Sequence, residues 1–142
     1  MDSNQHSAVS EQKGKPKMLF VDDSTRRIHD ALRKYGEKYD VTICANVPEA
    51  LRYLSREDWA VVSLDFDLNG YDFQDPTDKD CGMEIVRYIA TTGWPPQKPK
   101  PNFVLHSSNA FGAKLMGNVL DKMGFLVQRW RYQYDDRGEL IS

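Results

Sequence analysis

The chain has 142 residues and a net charge of −2, with 40% hydrophobic and 28% charged residues. These values fit one domain with a substantial core, and they exclude an overall basic surface for binding duplex DNA. A local site for a phosphate-containing small molecule or an RNA end is compatible with them, because such a site needs few positive charges. The lack of a membrane-length apolar stretch or a signal-peptide pattern, with two isolated cysteines, Cys44 and Cys81, predicts a cytoplasmic protein without membrane contact.

The N-terminal segment and the apolar runs divide the chain. Residues 1–17 are polar and unpatterned and predict a flexible leader, which leaves residues 18–142 as a single domain. Beyond the leader, short apolar runs rich in β-branched or aromatic residues alternate with helical patterns, and each run predicts a strand. The five runs are residues 18–21, 41–44, 60–64, 103–105 and 125–127.

Four segments between and beside these runs repeat apolar residues at the spacing of an amphipathic helix. Their apolar positions are Ile28, Ala31, Leu32 and Tyr35; Val47, Ala50, Leu51 and Leu54; Ile85, Val86 and Ile89; and Leu115, Met116, Val119, Leu120 and Met123. Strand–helix alternation with continuously apolar strands predicts an α/β fold, a doubly wound five-stranded parallel sheet in the flavodoxin-like order 2-1-3-4-5. The tail has no clear helical stripe, so a fifth helix is doubtful.

Two segments depart from this regular plan. Residues 69–81 form an acidic loop that is longer than a strand-to-helix turn needs, and long loops are often functional. Residues 92–101 are proline-rich and predict a stiff connector. The first of these loops lies at the end of the third strand, where ligands bind in folds of this type.

Polar residues stand where the central strands end. The carboxyl ends of parallel strands meet at one edge of the sheet, so we expect these side chains to converge on a single crevice. They are Asp22 and Asp23 after the first strand, Asp65 and Asp67 after the third, His106 and Ser107 after the fourth, and Arg129 at the end of the fifth.

The carboxylates and their neighbours suggest phosphate chemistry with a metal. Clustered carboxylates repel one another unless a cation lies among them, and oxygen ligands suit Mg²⁺ or Mn²⁺. His106 is a candidate general acid, whose backbone we expect at the mouth of the crevice with the ring able to face Asp65, and Asn109 stands where the fourth helix begins. Each residue alone also has a structural interpretation, since Asp23 or Ser24, and Asn109, are good helix N-caps.

With Asp22, Asp23, Asp65 and Ser107 in place, the chain resembles a response-regulator receiver domain over most of its folded length. The resemblance implies that the acidic pair binds Mg²⁺ and that Asp65 accepts a phosphoryl group. The fifth strand departs from the receiver pattern, because it offers Arg129 where receivers have a lysine.

With this departure from the receiver pattern, the chain resembles a more specific group, the cyclic-phosphate-processing receiver-like domains. The motifs that carry the resemblance are "VDDSTRR", "SLDFDLNG", "DCGMEI" and "HSSNAFG". Two positions differ: Phe66 stands where a histidine is common, and Ala110 where a proline is common. The resemblance implies functional or motif roles for Asp22, Asp23, Arg27, Asp65, Asp67, Asp80, Gly82, His106, Ser107, Asn109, Gly112 and Arg129.

The resulting hypothesis is Mg²⁺-dependent binding or hydrolysis of a cyclic phosphate, such as an RNA 2′,3′-cyclic end or a cyclic nucleotide. In it, the metal ligands are Asp22, Asp23 and Asp65, the catalytic residues are His106, Asp65 and Asp67, and the phosphate contacts are Arg27, Ser107, Asn109 and Arg129. Two alternatives stay open: a signalling receiver that is phosphorylated on Asp65, and a non-catalytic receiver that binds a protein partner.

Overall fold

The computed structural model describes residues 14–70 and 73–141, so most of the predicted leader, residues 1–13, lies outside the described residues. Eleven elements are present in this part of the chain. The strands are β1 (Lys17–Val21), β2 (Asp40–Cys44), β3 (Val61–Leu64), β4 (Asn102–Leu105), β5 (Val127–Arg129), β6 (Gln133–Tyr134) and β7 (Leu140–Ile141). The helices are α1 (Thr25–Tyr35), α2 (Val47–Arg56), α3 (Gly82–Thr92) and α4 (Ala110–Lys122).

The first five strands form one parallel sheet in the order β2-β1-β3-β4-β5, which confirms the predicted fold class. The register places Val21 beside Leu64 and Leu64 beside Leu105. The residues that follow β1, β3 and β4 therefore leave the sheet side by side at its carboxyl edge, as expected for parallel strands.

One face of the sheet carries the main core. Helices α2, α3 and α4 pack beside one another, and inward-facing strand residues such as Leu19, Val62 and Phe103 lie fully buried beneath them. Burial of this continuous apolar layer is the chief stabilising contribution of the fold. No helix in residues 14–70 and 73–141 is long and apolar enough to cross a membrane.

The opposite face carries α1 and the C-terminal segment. After β5, the described part of the tail forms an antiparallel pair of short strands, β6 and β7, in place of a fifth helix. This hairpin contacts α1, because Tyr134 donates a hydrogen bond to Asp30 and Arg26 stacks on the Tyr134 ring 3.7 Å from its centroid. The hairpin thus takes part of the space that a fifth helix would cover.

The fifth strand begins later than the apolar run 125–127 predicts. Phe125 follows the left-handed turn at Gly124 and packs edge-on against Phe103, while Leu126 is 72% exposed. Pairing with β4 starts only at Val127. The apolar run alone could not show where the strand begins. A core-filling aromatic residue after a turn is as apolar as a residue of a buried strand.

Candidate active site at the carboxyl edge of the sheet

Three carboxylates gather where β1 and β3 end. Asp22 and Asp23 follow β1, Asp65 follows β3, and one oxygen atom of each lies within 4.8 Å of the others. Asp22 and Asp65 are almost completely buried. A cluster of this composition could hold a metal ion, because hard divalent cations prefer carboxylate oxygens.

Arg27, on the first turn of α1, lies between two of these carboxylates. Its Nε donates to Asp22 Oδ2 at 2.7 Å, and its Nη2 donates to Asp22 Oδ1 and to Asp65 Oδ2, each at 3.0 Å. The helix places the guanidinium there because Ser24 caps α1 by accepting a hydrogen bond from the Arg27 amide. A planar guanidinium can serve two carboxylates at once, which a lysine ammonium does with less geometric definition.

Asp22 is surrounded by donors. In addition to Arg27, the backbone amide of Ser24 donates to its Oδ1 at 2.9 Å and His106 Nε2 lies 3.0 Å from its Oδ2. Burial by itself would raise the pKa of Asp22, but the hydrogen bonds from His106 and Arg27 outweigh burial and lower it to about 2. Asp22 is therefore a fixed negative charge whose four hydrogen-bonding positions are already occupied.

His106 lies under Asp22 and is 1% exposed. Its Nδ1 is 2.7 Å from the Ser63 hydroxyl, and its ring stacks on Phe20 with 4.5 Å between centroids. The Tyr132 ring closes the other side edge-on at 5.7 Å. Because a carboxylate only accepts hydrogen bonds, Nε2 carries the hydrogen toward Asp22, and in the neutral ring Nδ1 then accepts from Ser63. The ring thus lies beneath the site and bonds to Asp22 and Ser63, whereas the sequence suggested a ring that faces Asp65.

Asp65 has the opposite electrostatic character to Asp22. Burial of the carboxyl group, together with the negative charge of Asp22, raises the pKa of Asp65 to about 6, although His106, Arg27 and Ser107 oppose this effect. The folded protein therefore holds a proton on Asp65 more tightly than the unfolded chain does. Ionisation of Asp65 costs stability, and the cost is absent below about pH 4, grows as the pH rises toward 6, and is complete above that.

We expect Asp65→Asn to stabilise the metal-free protein at pH 7.5, because asparagine removes this ionisation cost. A pKa difference of about two units corresponds to a gain of at most about 3 kcal/mol. The gain should shrink toward zero near pH 4. Urea unfolding in the presence of a chelator at the two pH values measures it, with the exposed Asp121→Asn as the control. A variant less stable than wild type at pH 7.5 would contradict the raised pKa.

Two of the three clustered carboxylates, Asp23 and Asp65, border an open cleft of about 260 Å³, while Asp22 is buried behind it. Its wall includes Asp23, Arg27, Asp65, Asp67 and Ser108. The cleft therefore places one guanidinium among several carboxylates at the surface. It can receive a divalent cation together with an anionic group such as a phosphate.

Two further residues that sequence analysis placed here have structural contacts. Ser107 is buried, and its hydroxyl accepts a hydrogen bond from the Asn109 amide at 3.0 Å. The Asn109 side chain caps α4 by accepting from the Gly112 amide at 3.0 Å. The N-cap interpretation of Asn109 is therefore present in the structure, and it leaves the side-chain amide nitrogen for another partner.

Gln74 was not identified from the sequence, yet it organises the loop at this edge. Its backbone amide donates to Asp67 Oδ1 at 2.7 Å, and its side chain joins the Leu68 amide to Asp80. Asp80 also accepts from Asn69 at 2.9 Å. A single glutamine in an irregular loop has no periodicity that would reveal such a role, so only the fold could show it.

Phe66, where a histidine is common in the resembling group, points away from the cleft. It is fully buried in the core, and a Cβ atom added to Gly112 would lie 2.3 Å from its ring. Gly82 has a similar constraint, since its added Cβ would lie 2.1 Å from the backbone oxygen of Asp65. The two glycines allow α3 and α4 to approach the end of β3, and the Phe66 side chain adds nothing to the cleft.

Arg129 does not join the carboxylates. It lies at the end of β5, is exposed, and its Nη2 is 3.5 Å from the Ala110 carbonyl oxygen. It borders a second cleft together with Ser107. Of the predicted site residues, the structure therefore places Asp23, Arg27, Asp65 and Asp67 in the wall of one cleft, with Asp22 and His106 buried beneath it, and puts Ser107 and Arg129 in the lining of the second cleft.

Comparisons with known proteins agree with this architecture. Residues 17–122 match the family described as "Cyclic-phosphate processing Receiver domain". No functionally curated protein matches the chain.

Among solved structures, a signal receiver domain from Vibrio parahaemolyticus has a TM-score of 0.60 at 16% identity, covering 87% of this chain and 83% of that one. A CheY-like receiver domain protein from Methanospirillum hungatei has a TM-score of 0.58 at 17% identity, covering 87% of this chain and 86% of that one. A response regulator from Burkholderia pseudomallei was solved with a phosphorylated aspartic acid and a calcium ion. It has a TM-score of 0.60 at 15% identity, covering 87% of this chain and 63% of that one. At these identities the likeness shows the fold.

Proposed function

The chain belongs to the family of cyclic-phosphate processing receiver domains, and from this membership we propose that it binds a cyclic phosphodiester together with a divalent cation and hydrolyses it. The observation that carries the proposal is the placement of Arg27 between Asp22 and Asp65 on the wall of an otherwise acidic cleft. A phosphate there would meet a guanidinium, which binds such groups well, beside carboxylates that suit a metal.

The residues at the cleft fit a divalent cation. Four carboxylates at this edge face one guanidinium, so negative charge remains after Arg27 is counted, and all the donor atoms are hard oxygens. Asp23 and Asp65 would hold the ion, and Asp22, whose oxygens are engaged by Arg27 and His106, would contribute its charge. A bound Mg²⁺ or Mn²⁺ would neutralise the phosphate and lower the pKa of a bound water.

The remaining side chains suit the handling of the phosphate and its water. Arg27, with Ser107 and Asn109 at the start of α4, would orient the phosphate, and Arg129 would neutralise it from the neighbouring cleft. Asp67 lies in the cleft wall, where a carboxylate can accept the proton of an attacking water. Attack of that water on phosphorus breaks one ring P–O bond, and the leaving oxygen takes up a proton to give a phosphate monoester.

His106 contributes through Asp22 in this proposal. Both of its ring nitrogens are engaged, by Asp22 and Ser63, and its ring lies between Phe20 and Tyr132, so direct proton donation to a leaving group would require the ring to leave these contacts. We therefore assign it a positioning role, in place of the general acid that the sequence suggested.

For His106 we expect the His106→Gln variant, which can still donate a hydrogen bond to Asp22, to keep most of the metal affinity. His106→Leu should weaken metal binding about ten-fold or more, since without that hydrogen bond Asp22 holds its negative charge beside the ion less firmly, and a hydrogen bond to a charged group is worth about 1.5–3 kcal/mol. Titration with Mn²⁺ measures the affinities, and circular dichroism checks that both variants fold. Equal metal affinity in the two variants would contradict the positioning role.

The experiment for the proposed function combines metal binding with hydrolysis. Mg²⁺ at 100 times its Kd should stabilise the wild-type protein by about 2.7 kcal/mol, because it binds only the folded state. Incubation with 2′,3′-cyclic AMP and metal should yield a monophosphate detected by phosphorus NMR. Asp23→Asn should lose both the metal response and the hydrolysis, while Asp136→Asn on the exposed hairpin turn should keep both.

The alternatives predict different results in the same set of measurements. Stoichiometric, hydroxylamine-labile phosphate on Asp65 after incubation with acetyl phosphate would favour a phosphorylated signalling receiver. We expect little of it, because Asp65 is buried and bonded to Arg27, and β5 ends in Arg129 and not in a lysine. A protein with no metal response, no hydrolysis and no phosphorylation would instead be a protein-binding receiver.

A further inference from the structure

A second cleft, which we call the arginine cleft, adjoins the cleft lined by Asp23, Asp65 and Asp67, which we call the acidic cleft. It has a volume of about 400 Å³ and lies between the start of α4 and the segment from β5 into the hairpin, with Leu105, Ser107, Ala113, Arg129, Arg131 and Ile141 among its lining residues. Ser107 lines the arginine cleft, and its neighbour Ser108 lines the acidic cleft. A ligand centred on these two serines would therefore reach both clefts.

The arginine cleft carries positive charge that no carboxylate in the described residues neutralises at ion-pair distance. Arg27 and Arg87 each pair with a carboxylate, whereas neither Arg129 nor Arg131 has a carboxylate at ion-pair distance within residues 14–70 and 73–141. Both side chains are exposed. Two unpaired guanidinium groups beside a pocket favour a ligand that is anionic or that offers flat, electron-rich surfaces for stacking.

The rest of the lining is partly apolar. Leu105 and Ala113 are buried and form an apolar floor, and Ile141 on β7 borders it from the hairpin. Gln133 on β6 adds a side-chain amide that can both donate and accept hydrogen bonds. An apolar floor, flat cations and one amide are the features that bind a nucleobase and its ribose, and the volume lies within the range of small-molecule sites.

We propose that the arginine cleft binds the nucleoside part of a nucleotide whose cyclic phosphate lies in the acidic cleft. This inference rests on the proposed function and specifies its substrate class as a nucleotide, as opposed to a cyclic phosphate on a small polyol. The base lies over the apolar floor, where a guanidinium of Arg129 or Arg131 stacks on it and Gln133 bonds to its edge. The hairpin that replaces a fifth helix supplies Gln133 and Ile141, so this part of the fold takes part in substrate selection.

The test compares two probes that share the same five-membered cyclic phosphate. Calorimetric titration of the whole chain in Mg²⁺ uses 2′,3′-cyclic AMP and glycerol 1,2-cyclic phosphate, which has no base. We expect the nucleotide to bind at least ten-fold more tightly. Arg131→Ala and Gln133→Ala should each weaken nucleotide binding by about ten-fold and leave the glycerol compound unaffected, and Arg33→Ala on the exposed face of α1 serves as the control.

The outcomes separate this inference from the proposed function. Equal affinity for the two probes, or nucleotide binding that both cleft variants retain, would overturn the role of the arginine cleft while leaving the cyclic-phosphate site intact. Failure of both probes to bind, together with no metal response, would overturn the proposed function and this inference with it. Because Arg131 and Gln133 are exposed, unchanged thermal midpoints should accompany the loss of nucleotide affinity.

Discussion

Arg27→Ala should destabilise the metal-free protein by about 3 kcal/mol or more at pH 7.5. The substitution leaves two buried carboxylates, Asp22 and Asp65, without the guanidinium that lies between them. Removing one partner of a buried ion pair typically costs 3–5 kcal/mol, because the remaining charge stays desolvated. Denaturant unfolding in the presence of a chelator measures the loss.

The dependence of the Arg27→Ala variant's stability on metal and on pH also tests whether Arg27 compensates the charge of the two carboxylates. Millimolar Mg²⁺ should recover part of the lost stability, since a divalent cation near Asp65 would supply positive charge. The loss should also be smaller at pH 5, below the raised pKa of Asp65, because a neutral carboxyl group needs no compensation. Arg33→Ala on the same helix is the matched control. An Arg27 variant as stable as this control would show that the guanidinium does not compensate the cluster.

Gly82→Ala should destabilise the fold by more than about 3 kcal/mol or prevent folding. A methyl group at this position would lie 2.1 Å from the Asp65 backbone oxygen, and main-chain atoms at the end of a central strand cannot move without displacing Asp65 itself. The matched control is Gly117→Ala within α4, where the nearest atoms lie at 3.4 and 3.8 Å. That control should be neutral or gain up to about 1 kcal/mol from helix propensity.

Gly112→Ala distinguishes a clash with a side chain from a clash with the backbone. Its added methyl group would meet the Phe66 ring, which a smaller residue can vacate. We therefore expect Gly112→Ala to cost less in a Phe66→Leu background than in the wild type, a coupling that a double-mutant cycle measures. No second substitution of this kind should rescue Gly82→Ala. Equal stability of the Gly82→Ala and Gly117→Ala variants, by thermal midpoint and expression yield, would contradict the tight approach.

The sequence alone determined the architecture and the composition of the site edge. The short, continuously apolar runs alternate with amphipathic helical patterns, and such strands are buried on both faces in a parallel sheet covered by helices. The rules for connecting such strands then favoured the strand order. Asp22, Asp23 and Asp65 come directly after such runs, and parallel strands end at one edge, so their convergence also followed. The hairpin after β5 replaced a helix that the tail pattern did not support.

Only the tertiary structure decided where the side chains near these strand ends point. His106 is the first residue after β4 and Phe66 is the second after β3, yet one ring lies under Asp22 and the other lies in the core beneath Gly112. Beyond the last paired residue the chain leaves the alternation of the strand, so orientation depends on the space that neighbouring helices leave. The division of Asp22 and Asp65 into a lowered and a raised pKa likewise depends on how many donors reach each carboxylate, which is set by contacts between residues distant in sequence.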